Sequence, residues 1–143
     1  MRNANVLAVD DDPAITRLVR SRLKTVGIQC DTASSAEEAL QLMQQNLYFV
    51  VIADIHMPGM SGVQMISALK EISPLVQVIM LTSDATVERV IAYADRGAVE
   101  FFAKGGEPSQ LVVTVRFALS RCERWIEWIG HLLTPSASAG EVS

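Results

Sequence analysis

The sequence predicts an α/β chain: a doubly wound, five-stranded parallel sheet of order 2-1-3-4-5 that ends in an extended C-terminal helix. Three observations predict it. Apolar runs of strand length alternate strictly with helical periodicities. The first, third, fourth and fifth runs end in a polar residue at the point where the chain turns away (Asp10, Asp54, Thr82 and Lys104). The second and fifth runs carry polar interruptions, which mark them as sheet edges.

Taken in order, Val6 to Val9 is a short apolar run closed by Asp10. Asp12-Pro13 supplies an N-cap followed by proline at the first helical position. Ile15, Leu18, Val19 and Leu23 follow at helical spacing, with Arg22 the polar exception, and Gly27 ends the helix. Ile28 to Ala33 alternates as a half-exposed strand does, and Ser35 with Glu38 reads as a capping box for the second helix. Tyr48 to Ala53 is a continuous apolar run ending at Asp54, and Met57-Pro58-Gly59-Met60-Ser61-Gly62 is turn chemistry. Val63, Ile66, Leu69 and Lys70 carry a third helix, capped by Ser61 with Gln64, to Ser73-Pro74. Val76 to Leu81 is a buried strand ending at Thr82. Val87, Val90, Ile91 and Ala94 form a fourth helical face stopped by Gly97. Val99 to Ala103 is the fifth strand, ending at Lys104, after which Gly105-Gly106 turns the chain and Pro108 starts the last helix.

Strict alternation implies parallel strands joined by right-handed crossovers, with helices on both faces. Gln29 and Asp31 in the second strand and Glu100 in the fifth make those two the edges, which is the flavodoxin-like order. Such sheets take ligands beyond the carboxyl ends of their strands where strand order reverses, here between strands one and three. Asp10, Asp11 and Asp54 converge on that crevice, with Thr82 and Lys104 beside it.

Three carboxylates in one crevice repel one another: either one is protonated or turned to solvent, or, the sharper reading, they hold a hard divalent cation. Mg²⁺ fits, because it takes one or two carboxylates together with water and phosphate oxygens. Calcium would want a loop of alternating oxygen ligands, and zinc would want more than His56 as a nitrogen ligand. A cation, a hydroxyl and an ammonium around one carboxylate suit phosphoryl transfer, with Asp54 as nucleophile.

Composition narrows the function classes. Half of the 143 residues are hydrophobic, a fifth are charged, and the formal net charge is −4, a globular balance without the basic footprint of nucleic-acid binding. Arg17, Arg20, Arg22 and Lys24 read as a solvated helix face. No apolar run reaches the length of a membrane span. Cys30 and Cys122 sit in apolar patterns and read as small buried hydrophobes, so the cytoplasm is the expected compartment and no targeting segment is expected.

The motifs Val9-Asp10-Asp11-Asp12-Pro13, Asp54 through Gly62, Leu81-Thr82-Ser83 and Gly97-Ala98 through Lys104 resemble the response-regulator receiver family of two-component signalling, the CheY-like domains. The resemblance covers about residues 4–121. It implies a phosphoacceptor signalling domain, not an enzyme acting on other substrates. Asp54 receives phosphoryl from a sensor histidine kinase or phosphotransfer protein. Asp10, Asp11, Asp54 and the backbone carbonyl of His56 bind Mg²⁺, while Thr82 and Lys104 contact the phosphoryl group. Phe101 matches the aromatic switch position, and His56 and Asp84 match positions that tune dephosphorylation. The surface of the fourth helix, fifth strand and fifth helix is implied to change partners. Two departures stand out. Gly105 follows the lysine where the family usually has proline with a cis bond, so either a trans bond with a looser loop or a strained bond is expected. Phe101 lacks the hydroxyl of the more common tyrosine.

Leu111, Val115, Ala118, Cys122, Trp125, Ile129 and Leu132 are spaced 4, 3, 4, 3, 4 and 3, a heptad seam. Val112, Leu119, Ile126 and Leu133 run beside it. The expected division is a receiver domain over residues 1–121, a helical extension over 122–133, and a disordered tail or linker over 134–143. Trp125, Ile126 and Ile129 would form an exposed partner surface, for a homodimer or for a fused or separate output domain. Folding back onto the domain is the plainer alternative. No DNA-binding module fits after residue 121.

Two other functions compete. A Mg²⁺-dependent phosphohydrolase would want a second carboxylate two residues after the nucleophile, where His56 stands, and a cap domain. A degenerate receiver acting only as a binding module is disfavoured by the intact Asp10, Asp11, Asp54, Thr82 and Lys104 set.

Overall fold

A computed structural model describes residues 5–54, 56–83, 91–92, 94–95 and 97–133. Its elements are β1 (Val6–Val9), α1 (Pro13–Lys24), β2 (Cys30–Ala33), α2 (Ala36–Gln45), β3 (Val50–Asp54), α3 (Gly62–Ile72), β4 (Gln77–Thr82), β5 (Ala98–Ala103) and the C-terminal helix (Pro108–Leu133). The strands form one parallel sheet of order β2-β1-β3-β4-β5, as the sequence predicts. Most of the predicted fourth helix lies outside the described residues, as do Asp84 and residues 134–143.

The period of two along each strand divides the core into two faces. Leu7, Val9, Val51, Ala53, Val78 and Met80 point toward α2 and α3 and meet Ala39, Met43, Met65, Ile66 and Leu69. Val6, Ala8, Val50, Ile52, Ile79 and Leu81 point the other way, onto Val19 and Leu23 of α1 and Leu111, Val115 and Ala118 of the C-terminal helix. Full burial of a Leu or Ile side chain stabilises the fold by about 1.5–3 kcal/mol. β1, β3 and β4 are buried along their whole length, and β2 and β5 are the partly exposed edges. At the β4–β5 pair the register shifts: Val78 pairs with Ala98 but Ile79 with Glu100. That bulge sets Phe101 against the α2–α3 core and Phe102 against the other.

Local signals place the helix ends. Asp12 caps α1, its side chain accepting from Ala14 N at 2.9 Å. At the other end Ile28 N donates to Leu23 O and Gly27 N to Lys24 O, a Schellman closure with Gly27 at φ +81°. Ser61 and Gln64 make a complete capping box on α3. The box predicted for α2 is only half formed. Ser35 Oγ accepts from Glu38 N, but the Glu38 carboxylate accepts from Ser34 N at 2.6 Å instead of from Ser35 N. Cys30 and Cys122 are buried free thiols, and burial pushes that of Cys30 up to about 12.

The C-terminal helix is one uninterrupted helix of 26 residues, and its seam splits at Cys122. Leu111, Val115, Ala118 and Cys122 are buried, whereas Trp125 and Ile129 are 53% and 37% exposed. The eleven residues after Cys122 project about 16 Å at 1.5 Å per residue.

Candidate functional site

Because Val9 pairs with Ala53, β1 and β3 end level, and Asp10 and Asp54 leave them side by side. Asp10 and Asp54 are 1% and 3% exposed, while Asp11 is exposed. A carboxylate oxygen from each of the three lies within 4.8 Å of the others, the spacing of a divalent-cation site. Lys104 reaches in from the end of β5, its Nζ 3.0 Å from Asp10 Oδ2 and 3.1 Å from Asp54 Oδ2. The backbone aims both acids. Asp12 N donates to Asp10 Oδ1 at 2.9 Å, and His56 N donates to Asp54 Oδ1 at 2.9 Å. Thr82 is buried at the end of β4, and its carbonyl accepts from Lys104 N at 2.7 Å, which ties lysine and threonine together.

The electrostatics are opposed across the site. Burial holds the Asp10 carboxyl above its ordinary value, helped by the Asp54 charge and countered by the Asp12 N–H and Lys104. Burial works to lower the Lys104 pKa, but its close ion-pair contacts with the Asp10 and Asp54 carboxylates outweigh that and hold it above the ordinary range. Asp10 Oδ2 is buried and has no hydrogen bond of good geometry; the Lys104 ammonium meets it only as an ion pair. An oxygen so placed, among three convergent carboxylates, fits a small hard cation.

Asp10, Asp11, Asp54, His56, Thr82 and Lys104 are thus neighbours at one end of the sheet, Trp125, Ile126 and Ile129 lie far along the C-terminal helix, and Asp84 lies outside the described residues. Phe101 is half-buried and packs on the same core face as Met57 and Met60, which follow Asp54 in the chain. Gly105, the departure noted above, sits at φ +82° in the turn where Gly106 N donates to Ala103 O at 3.0 Å. The described residues contain no cis peptide bond, so Lys104 is presented by a glycine-centred β-turn. Sequence reasoning missed Trp128, which is exposed and lines one groove with Arg121, Arg124, Trp125 and Leu132. Its position three residues after Trp125 was the available signal.

A doubly wound sheet of order β2-β1-β3-β4-β5, with an acid cluster at its switch point and a lysine closing on it, has the architecture of the CheY-like receiver domains. The chain belongs to the response regulator receiver domain family, whose model matches residues 6–116. It carries the receiver domain of a two-component response regulator. It is similar to the transcriptional regulatory protein GlrR of Escherichia coli, 30% identical over 131 residues, which are 88% of this chain and 30% of that protein. The chain therefore spans about a third of that relative's length. Among solved structures, chemotaxis protein CheY4 of Vibrio cholerae superposes with a TM-score of 0.76 at 30% identity, over 80% of this chain and 98% of that one. NtrX of Brucella abortus gives a TM-score of 0.84 at 26% identity, over 96% of this chain and 32% of that one.

Proposed function

We propose that this domain is a switch that takes a phosphoryl group on Asp54 from a phosphohistidine of a sensor histidine kinase or phosphotransfer protein. The observation that carries the reading is the Lys104 ammonium bridging Asp10 and Asp54 at 3.0 and 3.1 Å beside a buried threonine. An Asp54 carboxylate oxygen attacks phosphorus, the nitrogen–phosphorus bond breaks, and histidine leaves with the electron pair. His56 N fixes the attacking carboxylate, Lys104 neutralises one phosphoryl oxygen, and the Thr82 hydroxyl donates to another. Asp10, Asp11, Asp54 and the His56 backbone carbonyl would hold Mg²⁺, which supplies charge neutralisation for the transferred oxygens. His56 and Asp84 tune the loss of the phosphoryl group, and Phe101 turns inward with Thr82. The domain works in the cytoplasm and catalyses only its own phosphorylation and dephosphorylation.

The output runs through the C-terminal helix. Residues 122–133 pair with a second copy of the chain or join an output domain through Trp125, Ile126 and Ile129, a reading supported by their exposure and by the uninterrupted helix that carries them. Intact mass after incubation with acetyl phosphate and Mg²⁺ tests the switch. A Mg²⁺-dependent phosphoryl adduct, absent from Asp54→Asn, is expected. Absence of an adduct from both acetyl phosphate and a phosphohistidine donor would leave a constitutive binding module.

A further inference from the structure

At the opposite end of the sheet from the acid cluster, a cavity of about 490 Å³ opens between the end of α3, the first residues of β4 and β5, and the C-terminal helix. Its charged lining is all positive: Lys70 from α3 and Arg121 from the C-terminal helix, with no carboxylate among the described lining residues. The Lys70 stem passes under Gly97, where an added Cβ would lie 3.1 Å from Lys70 Cε. Its Nζ donates to the carbonyl of Val76, and burial lowers its pKa. No carboxylate among the described residues forms an ion pair with Lys70 or Arg121; the Arg121 guanidinium instead lies over the Phe117 ring at 5.3 Å. A half-buried ammonium that meets only a neutral carbonyl is an unfavourable arrangement unless an anion completes it.

Gln77 supplies a second, independent observation. It opens β4, where every following residue but the terminal Thr82 is apolar, and is itself 4% exposed. Its Nε2 donates to Leu75 O at 3.0 Å, and its Oε1 is buried without a donor. Buried acceptors are ordinarily satisfied, and this unpaired one belongs to a residue that lines the cavity. Trp125 adds an apolar wall on which a carbon skeleton can lie.

We infer that this cavity binds a small hydroxycarboxylate, its carboxylate held by Lys70 and Arg121, its hydroxyl donating to Gln77 Oε1, and its carbon chain against Trp125. A planar guanidinium fork matches a carboxylate, and the volume lies within the range of small-molecule sites. Arg121 and Trp125 belong to the helix that leaves the domain, so occupancy fixes the base of that helix. The site is independent of Asp54 chemistry, and either reading can fail alone.

The test uses the full chain with Trp128→Phe, which leaves Trp125 as the sole tryptophan reporter. Its fluorescence is titrated with lactate, malate and citrate, with succinate as the partner of malate that lacks the hydroxyl, and with chloride at matched ionic strength. At least one hydroxycarboxylate is expected to saturate the signal, and malate to bind several-fold more tightly than succinate. Lys70→Met should weaken binding about tenfold or more, and Gln77→Leu should erase the preference for malate, both with an unchanged circular dichroism spectrum. The inference is overturned if none of the three saturates, if chloride reproduces the response, or if a folded Lys70→Met variant binds as tightly as the parent.

Discussion

Lys104 Nζ lies 3.1 Å from Asp54 Oδ2, so the proposed nucleophile is held by the ammonium that would later hold the transferred group. The lysine therefore contributes twice, to the resting pair and to the developing charge. Lys104→Met is expected to slow phosphoryl uptake from acetyl phosphate by about 10²–10³-fold, the usual effect of removing one preorganised donor. The same variant should bind Mg²⁺ more tightly, because a competing cation is gone. A phosphorylation time course beside a Mg²⁺ titration checks both.

Asp10 gives a pH-dependent prediction. Its folded pKa lies above its ordinary value of 3.8, chiefly through burial. Between those values the folded state binds more protons than the unfolded state, so stability falls as pH rises through that window, and the loss persists at neutral pH. In the absence of Mg²⁺, Asp10→Asn should therefore melt higher than the parent at pH 7 and no higher near pH 3. Mg²⁺ should raise the melting temperature of the parent and leave that of the variant unmoved. Thermal unfolding at the two pH values, with and without Mg²⁺, separates these terms.

The sheet and the site were legible because periodicity and strand-end chemistry are local. Strand order followed from where Asp31 and Glu100 interrupt the apolar runs, and the crevice followed from the order. What sequence hid were choices between nearly equal partners. Glu38 could cap Ser35 or Ser34, and the two bonds differ by one residue in reach. The extra residue in β5 opposite the Val78–Ile79 step leaves an apolar run looking regular, although it decides which way Phe101 and Phe102 point. Lys70 reads only as part of the third helix's periodicity, yet its side chain turns inward under Gly97, where the absence of a Cβ leaves room. The proline missing after Lys104 was visible, but the glycine-centred turn that replaces it needed backbone angles.

The exposed end of the C-terminal helix predicts self-association. Trp125, Ile129 and Leu132 continue a seam whose earlier members are buried, and Trp128 widens the apolar surface. Sedimentation of the parent should show concentration-dependent association, and Ile129→Glu should move it to monomer. Since Ile129 makes no part of the core, the variant's melting temperature in dilute solution should stay unchanged. A parent that remains monomeric at high concentration would assign this face to an output partner instead.

Gly105 ties stability to lysine presentation. At φ +82° it occupies backbone space that L residues rarely adopt, and a Cβ there would meet nothing within 4 Å. Any cost of Gly105→Ala is therefore conformational, about 1–2 kcal/mol, and a urea denaturation midpoint reads it directly. Asn tolerates positive φ better, so Gly105→Asn should lose less. The turn also holds Lys104, whose backbone N–H is anchored on Thr82 O. If alanine relieves its strain by flattening the turn, the ammonium withdraws from Asp54, and phosphoryl uptake falls more in Gly105→Ala than in Gly105→Asn. Equal uptake in both variants, with stability lost only in alanine, would mean that the Lys104–Thr82 anchor alone positions the lysine and that the glycine serves folding only.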